Sequence, residues 1–203
     1  MFVRAIRLAA LCAVAFVSGC AFTTERIDLS YTPQSSPPAV PGAGEITVAV
    51  QVVDDRQDKS KVSSKKNGYG MEMAPILANE DVTVTVRKAI ETELRNRGFA
   101  LSADPAIVQV IADLTRFYND HKTGFFSGDA VADLIMSVNV KASDGRVLYG
   151  RQIVAQGVEP HTQLATGNNA RIALDKALQD GMAKLFGDSE FVAALTKAGA
   201  KPG

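Results

Sequence analysis

Asp54, Asp55 and Asp58 place three carboxylates within five residues. Carboxylate oxygens at that density suit calcium or magnesium. The run lacks the Asp-x-Asp-x-Asp-Gly spacing and distal glutamate of a calcium loop, and Arg56 and Lys59 stand among the acids. Salt bridges and turn capping are therefore expected, and no metal site. Lys59, Lys61, Lys65 and Lys66 follow without an intervening acid, leading into Asn67-Gly68-Tyr69-Gly70-Met71. A cationic loop of this kind can meet anionic headgroups, lipopolysaccharide phosphates or the carboxylates of peptidoglycan. Phe125-Phe126, bounded by Gly124 and Gly128, can enter a partner or fold back over a sheet. Lys59, Lys61, Lys65, Lys66, Tyr69, Phe125 and Phe126 are thus the candidate partner-binding residues. His121 and His161 are the only histidines, and no Ser-His-acid or Cys-His arrangement follows from their spacing. Gly68 and Gly70 lack the strand-to-helix Gly-x-Gly-x-x-Gly context of a nucleotide loop. No catalytic residue and no cofactor is expected.

Composition narrows the classes further. The chain has 203 residues, 46% of them hydrophobic, with 22 basic and 22 acidic side chains. That length suits one domain with extensions, and zero net charge argues against nucleic acid, whose phosphates demand a basic surface. Two cysteines exclude a disulfide framework.

One of those cysteines carries the strongest chemical signal. Arg4 and Arg7 precede the apolar run Leu8 to Val17. As a helix, ten residues span about 15 Å, half of the roughly 30 Å a bilayer core requires. The layout is that of a secretory signal peptide, residues 1–19. Val17-Ser18-Gly19-Cys20 resembles a bacterial lipobox, which implies diacylglycerol on the Cys20 sulfur, cleavage before it and acylation of the new amine. One acyl chain anchors only marginally, and two or more hold firmly. Ala21 stands where an inner-membrane retention signal would carry aspartate, so the same resemblance implies the periplasmic face of the outer membrane.

The elements that must position the candidate loops follow from periodicity. Residues 20–44, with Pro33, Pro37, Pro38 and Pro41, read as the lipidated cysteine and a flexible tether. Within it, Ile27, Leu29 and Tyr31 alternate as a short strand able to dock on the domain edge. Residues 45–203 form the single domain. Alternation predicts a strand over 45–53, a polar loop from Asp54 to Pro75, and strands over 106–117, 131–142 and 147–158. Asp144-Gly145 makes the tight turn between the last two. Val82, Val86, Ile90 and Leu94 mark one helix, capped by Asn79 and stopped near Gly98, although its β-branched start also fits a strand. Leu174, Leu178, Met182 and Leu185 mark a second, capped by Asn168 or Asn169, and a short helical turn burying Phe191, Val192 and Leu195 follows Gly187. The order β-α-β-β-β-α suggests an α+β fold, a mainly antiparallel four-stranded sheet with two helices on one face.

The lipobox, the strand ending Val52-Val53-Asp54-Asp55-Arg56-Gln57-Asp58 and the helix closing Glu93-Leu94-Arg95-Asn96-Arg97-Gly98-Phe99 together resemble the YajG-like family of bacterial lipoproteins. That resemblance implies an outer-membrane lipoprotein without known catalytic residues. The expected function is non-catalytic: a lipid-anchored domain that binds an envelope protein or peptidoglycan in the periplasm. The alternatives are an envelope enzyme acting on peptidoglycan or lipid, and a component that self-assembles through an open sheet edge or face. Oligomeric state is not readable from the sequence. Replacing Cys20 by Ser removes the acyl acceptor, so the protein should move from the membrane to the soluble fraction. A Cys20→Ser chain that still sediments with membranes contradicts lipid anchoring.

Overall fold

The computed structural model describes residues 23–102, 108–124 and 127–199; the expected signal peptide over 1–19, Cys20, Phe125 and Phe126 lie outside them. Its strands are β1 (Glu25–Ile27), β2 (Thr47–Asp54), β3 (Ser63–Lys66), β4 (Glu72–Ala78), β5 (Ala100–Leu101), β6 (Val108–Thr123), β7 (Gly128–Ala142) and β8 (Val147–Thr162). Its helices are α1 (Val82–Asn96), α2 (Gly167–Gly187) and α3 (Ser189–Gly199), with a 3-10 turn at Ala43–Glu45. The fold is α+β, as periodicity implied, but the sheet differs from the expected one.

Alternating Val48, Val50 and Val52 make β2, and the stripe Val82, Val86, Ile90 and Leu94 makes α1 rather than a strand. All four stripe residues are buried. Tertiary burial of one helical face outweighs the weak helix propensity of the β-branched run. Asp81, not Asn79, is the N-cap, accepting from the Thr83 amide at 2.8 Å. Gly98, at φ 94°, takes the left-handed position past the helix end.

Because α1 carries the chain back across the sheet, β2 pairs with β6 in parallel, Val48 opposite Val108 through Asp54 opposite Leu114. Parallel neighbours need such a crossover, whereas β6, β7 and β8 need only hairpins and form the expected antiparallel meander. With β5 on the far edge, the result is a mixed five-stranded sheet in the order β5-β2-β6-β7-β8. This replaces the four-stranded antiparallel sheet of the sequence reading. A second correction concerns residues 54–75. They contain β3 and the start of β4, and with β1 these make a three-stranded sheet in the order β1-β4-β3. Ser63-Ser64-Lys65-Lys66 has no apolar alternation, and Pro75 sits opposite Ser64 in the ladder. Proline within a central strand argues against a strand from sequence alone, so the hairpin had no signature.

Both long helices cover the same sheet face. Leu174, Leu178, Met182 and Leu185 of α2 meet a sheet face that includes Leu134, Met136, Val138 and Val140 of β7, all fully buried. The helix is capped by Thr166, which accepts from the Asn169 amide at 3.3 Å. The turn after Gly187 proves to be a third helix, α3, whose Phe191 packs edge-on against Tyr149 and Phe186. The outer edge of β8 is closed for part of its length by α2 itself. Lys184 and Lys176 donate to the Val154 and Val158 carbonyls, each at 2.9 Å, and the Gln156 amide donates to Asp180 at 3.1 Å. Gly157 permits the approach, since a Cβ there would lie 2.0 Å from the Ala173 carbonyl oxygen. Side chains at helical spacing thus occupy backbone groups that another strand would need.

Of the two expectations for the proline-rich segment, a flexible tether and a short strand docking at Ile27, Leu29 and Tyr31, the structure bears out docking. The segment does not hang free as a tether but lies as a strap across α2 and then α1. Ile27 is buried in the small sheet. The Ser30 amide and hydroxyl donate to Asp175 at 2.9 and 3.2 Å. Tyr31 donates its hydroxyl to Glu93 at 2.5 Å, and the Gln34 amide does so at 3.0 Å. Arg97 completes the group, pairing with Glu93, reaching the Gln34 side chain at 2.8 Å and stacking 4.4 Å above the Phe186 ring. Its carbonyl accepts from the Val40 amide at 3.0 Å. Glu93 is fully buried. Burial alone would push its carboxyl up, but hydrogen bonds from Tyr31, the Gln34 amide and Arg97 together hold it below the ordinary range.

A lowered carboxyl contributes stability above its unfolded value and loses it as pH falls through the folded one. Removing one member of a buried pair costs about 3–5 kcal/mol. Glu93→Gln should therefore destabilise the domain by a cost of that order at neutral pH and weaken its acid dependence. Urea unfolding at neutral and acidic pH checks both, and an unchanged acid limb would remove Glu93 from that role.

Candidate functional site

The end of β2 turns into a loop that the sequence placed among its candidates, and its charges are mostly committed to one another. Arg56 folds inward and is 8% exposed. Its Nε and Nη2 donate to the two oxygens of Asp54, each at 2.9 Å, and its remaining donors reach the Lys61 and Lys59 carbonyls at 3.3 and 3.4 Å. Burial pushes the Asp54 carboxyl up, but the hydrogen bonds from the Arg56 side chain and amide prevail, leaving it below the usual carboxylate range. Asp58 accepts from the Ser60 amide at 2.9 Å. Asp54 thus serves ion pairing and Asp58 turn capping, Asp55 is exposed, and no cluster suited to a metal ion occurs among the described residues.

Lys61 reaches over β3 to Glu72 at 2.5 Å and Ser64 at 3.1 Å. Tyr118 of β6 donates to the other Glu72 oxygen at 3.2 Å. Glu72 raises the Lys61 ammonium above its ordinary value by hydrogen bonding, and Lys61 in turn lowers the Glu72 carboxyl. Lys65 pairs with Glu25 at 3.2 Å and Lys66 with Asp120. Lys59 is exposed and makes no ion pair among the described residues.

Two clefts open on either side of Arg56 and Lys61. The larger, about 480 Å³, is lined by Arg26, Lys59, Leu77, Ala78 and the start of α1 at Asp81 and Val82. Arg26, which the sequence reading passed over, is exposed and likewise without an ion pair among the described residues. The smaller, about 340 Å³, runs between Gln57, Glu72, Arg116 and Tyr118. The Arg116 guanidinium pairs with Asp133 at 3.0 Å beside it.

The structure therefore separates the candidates. Lys59 and Lys61 line the clefts, while Lys65, Lys66 and Tyr69 belong to the β3–β4 hairpin. Phe125 and Phe126 lie outside the described residues. Of the histidines, His121 is buried beside the Thr162 hydroxyl at 3.3 Å, where burial pushes its imidazole below the ordinary value. His161 is exposed, at a positive φ of 59°. Arg26 could not be found from sequence because it enters through strand pairing between segments fifty residues apart.

This is a two-sheet α+β domain with a cationic cleft, and among its described residues no helix is long and apolar enough to cross a membrane. The chain belongs to the uncharacterized lipoprotein family, which it matches over residues 33–196. Its fold is similar to that of a Xanthomonas campestris protein of the DUF330 family, 12% identical, with a TM-score of 0.60, covering 85% of this chain and 98% of that one. A Helicobacter pylori protein described as a neuraminyllactose-binding hemagglutinin homolog is 8% identical at a TM-score of 0.48, covering 84% and 97%. None of the curated proteins matches the sequence.

Hydrogen bonds to charged partners contribute about 1.5–3 kcal/mol each, less where exposed. Arg56→Ala should cost about 2–3 kcal/mol and release residues 57–61. Urea unfolding and amide exchange within 57–61 read the two effects. Unchanged protection of that loop would contradict its dependence on Arg56.

Proposed function

We propose that the protein is a non-catalytic, acylated lipoprotein of the outer membrane, facing the periplasm. Its domain binds a protein or envelope polymer through anionic groups held in the larger cleft. The observation that carries the reading is the pair Arg26 and Lys59. They line one cleft, both are exposed, and neither makes an ion pair among the described residues. Arg56 and Lys61 stand behind them, already neutralised by Asp54 and Glu72, and serve to shape the cleft. An arginine fork and a lysine point charge suit carboxylate or phosphate groups. Membership of a lipoprotein family supports the anchor, and the Cys20 tetrapeptide supports its position. Asp81 and Glu80 also line the cleft, so affinity should be modest and sensitive to salt.

Two exposed cations near an anionic surface contribute roughly 1 kcal/mol apiece. The double variant Arg26→Gln, Lys59→Gln should reduce binding to isolated sacculi or acidic envelope protein by about tenfold or more at low salt. Co-sedimentation with sacculi and crosslinking in intact cells check this. Binding that is unchanged in the double variant, and indifferent to salt, would exclude the cleft.

A further inference from the structure

We propose that the β3–β4 hairpin, with Tyr69 and Met71 at its turn, rests in the headgroup layer of the leaflet that holds the acyl chains, fixing how the domain stands on the membrane. The inference rests on the acylation of Cys20 proposed above. Thr23 follows Cys20 by three residues, a reach of at most about 11 Å. The strap beyond it is bound to α2 and α1, so an anchor at Cys20 holds the body close to lipid instead of letting it swing.

The small sheet then decides which end faces down. β1 and β4 run parallel, with Glu25 opposite Ile76. Going back along β4 from Ile76 to Glu72 leads about 13 Å toward the hairpin turn. Going back along the chain from Glu25 to Cys20 covers at most about 18 Å. Cys20 thus has the reach to lie level with the turn. Glu25 also abuts Gly167, where a Cβ would lie 2.3 Å from its carboxylate, so the loop carrying Leu164 belongs to the same end.

That end is suited to an interface. Tyr69 is 91% exposed, Leu164 69% and Met71 58%, three of the six large apolar side chains left open among the described residues. The turn is built to hold its shape: the Asn67 side chain accepts from the Tyr69 and Met71 amides, each at 3.0 Å, and Gly70 takes a positive φ of 79°. Tyrosine favours the headgroup level, where its ring is shielded and its hydroxyl stays wet. Lys65 and Lys66 are paired with Glu25 and Asp120, which reduces the cost of bringing their charges near lipid. The larger cleft includes Leu77 and Ala78, at the opposite end of β4, and so points away from the leaflet.

The chain contains no tryptophan, so a single introduced indole reports one position. Tyr69→Trp is compared with Val147→Trp, an exposed site at the other end of β8 from Thr162, both in the acylated full-length protein. The proteins are reconstituted in phosphatidylethanolamine–phosphatidylglycerol vesicles doped with brominated phosphatidylcholine. The expected result is a blue-shifted Tyr69→Trp emission that loses most of its intensity to bromine, with Val147→Trp unaffected. If the protein floats with the vesicles while Tyr69→Trp stays unquenched, or both sites quench equally, the hairpin contact is wrong and the anchor stands. If the protein fails to float and mass spectrometry finds a bare Cys20 sulfur, the anchoring reading falls and this one falls with it.

Discussion

The rest of the structure depends on two carboxylates that sit under the N-terminal strap. Glu93 on α1 and Asp175 on α2 project from the helix layer toward a segment too rich in proline to make its own regular structure. Each satisfies one backbone amide, Gln34 on Glu93 and Ser30 on Asp175, that would otherwise lose its water when the strap closes over the helices. The two are not equivalent. Glu93 is fully buried yet held below its usual range by Tyr31, the Gln34 amide and Arg97, whereas burial of Asp175 prevails over Ser30 and Arg171 and pushes that carboxyl up. The first favours the strapped state as an anion. The second gains less from ionising, because its burial disfavours the charged form.

That locking has a mechanical consequence. A proline-rich linker between lipid and domain would give reach, but a strap bonded to both helices gives position. Only a few residues separate the proposed anchor, Cys20, from β1, which passes directly into the small sheet. The charged groups of that sheet and of the β2 loop are largely matched, Arg56 with Asp54, Lys61 with Glu72, Lys65 with Glu25 and Lys66 with Asp120. A run of lysines that looks like a cationic patch in one dimension becomes, in three, a nearly neutral sheet with its free cations confined to one cleft. Elsewhere the fold limits its own contacts in a similar way, since α2 fills part of the β8 edge with Lys176, Asp180 and Lys184.

Periodicity made much of this legible. The alternating valines of β2, the meander of β6 to β8 with its Asp144-Gly145 turn, and the stripes of α1 and α2 all follow from which residues must leave water, a property that depends on neighbours in sequence. Ion pairing in the Asp54–Asp58 loop was readable too, because Arg56 is two residues from its partner. The caps at Asp81 and Thr166 were each missed by a few residues, as several adjacent side chains could accept the same amides.

What the sequence determined by itself was the set of amphipathic segments and the Cys20 tetrapeptide, because hydrophobic spacing and a short linear motif are local quantities. Tertiary structure alone decided that β2 lies parallel to β6, that Ser63–Lys66 is a strand, that the prolines form a strap and that Arg26 shares a cleft with Lys59. The first, third and fourth depend on partners 51 to 145 residues away in the chain, where pairing is set by the packing of the whole sheet and helix layer, and the second on a hairpin partner 6 to 13 residues away whose strands carry no apolar alternation.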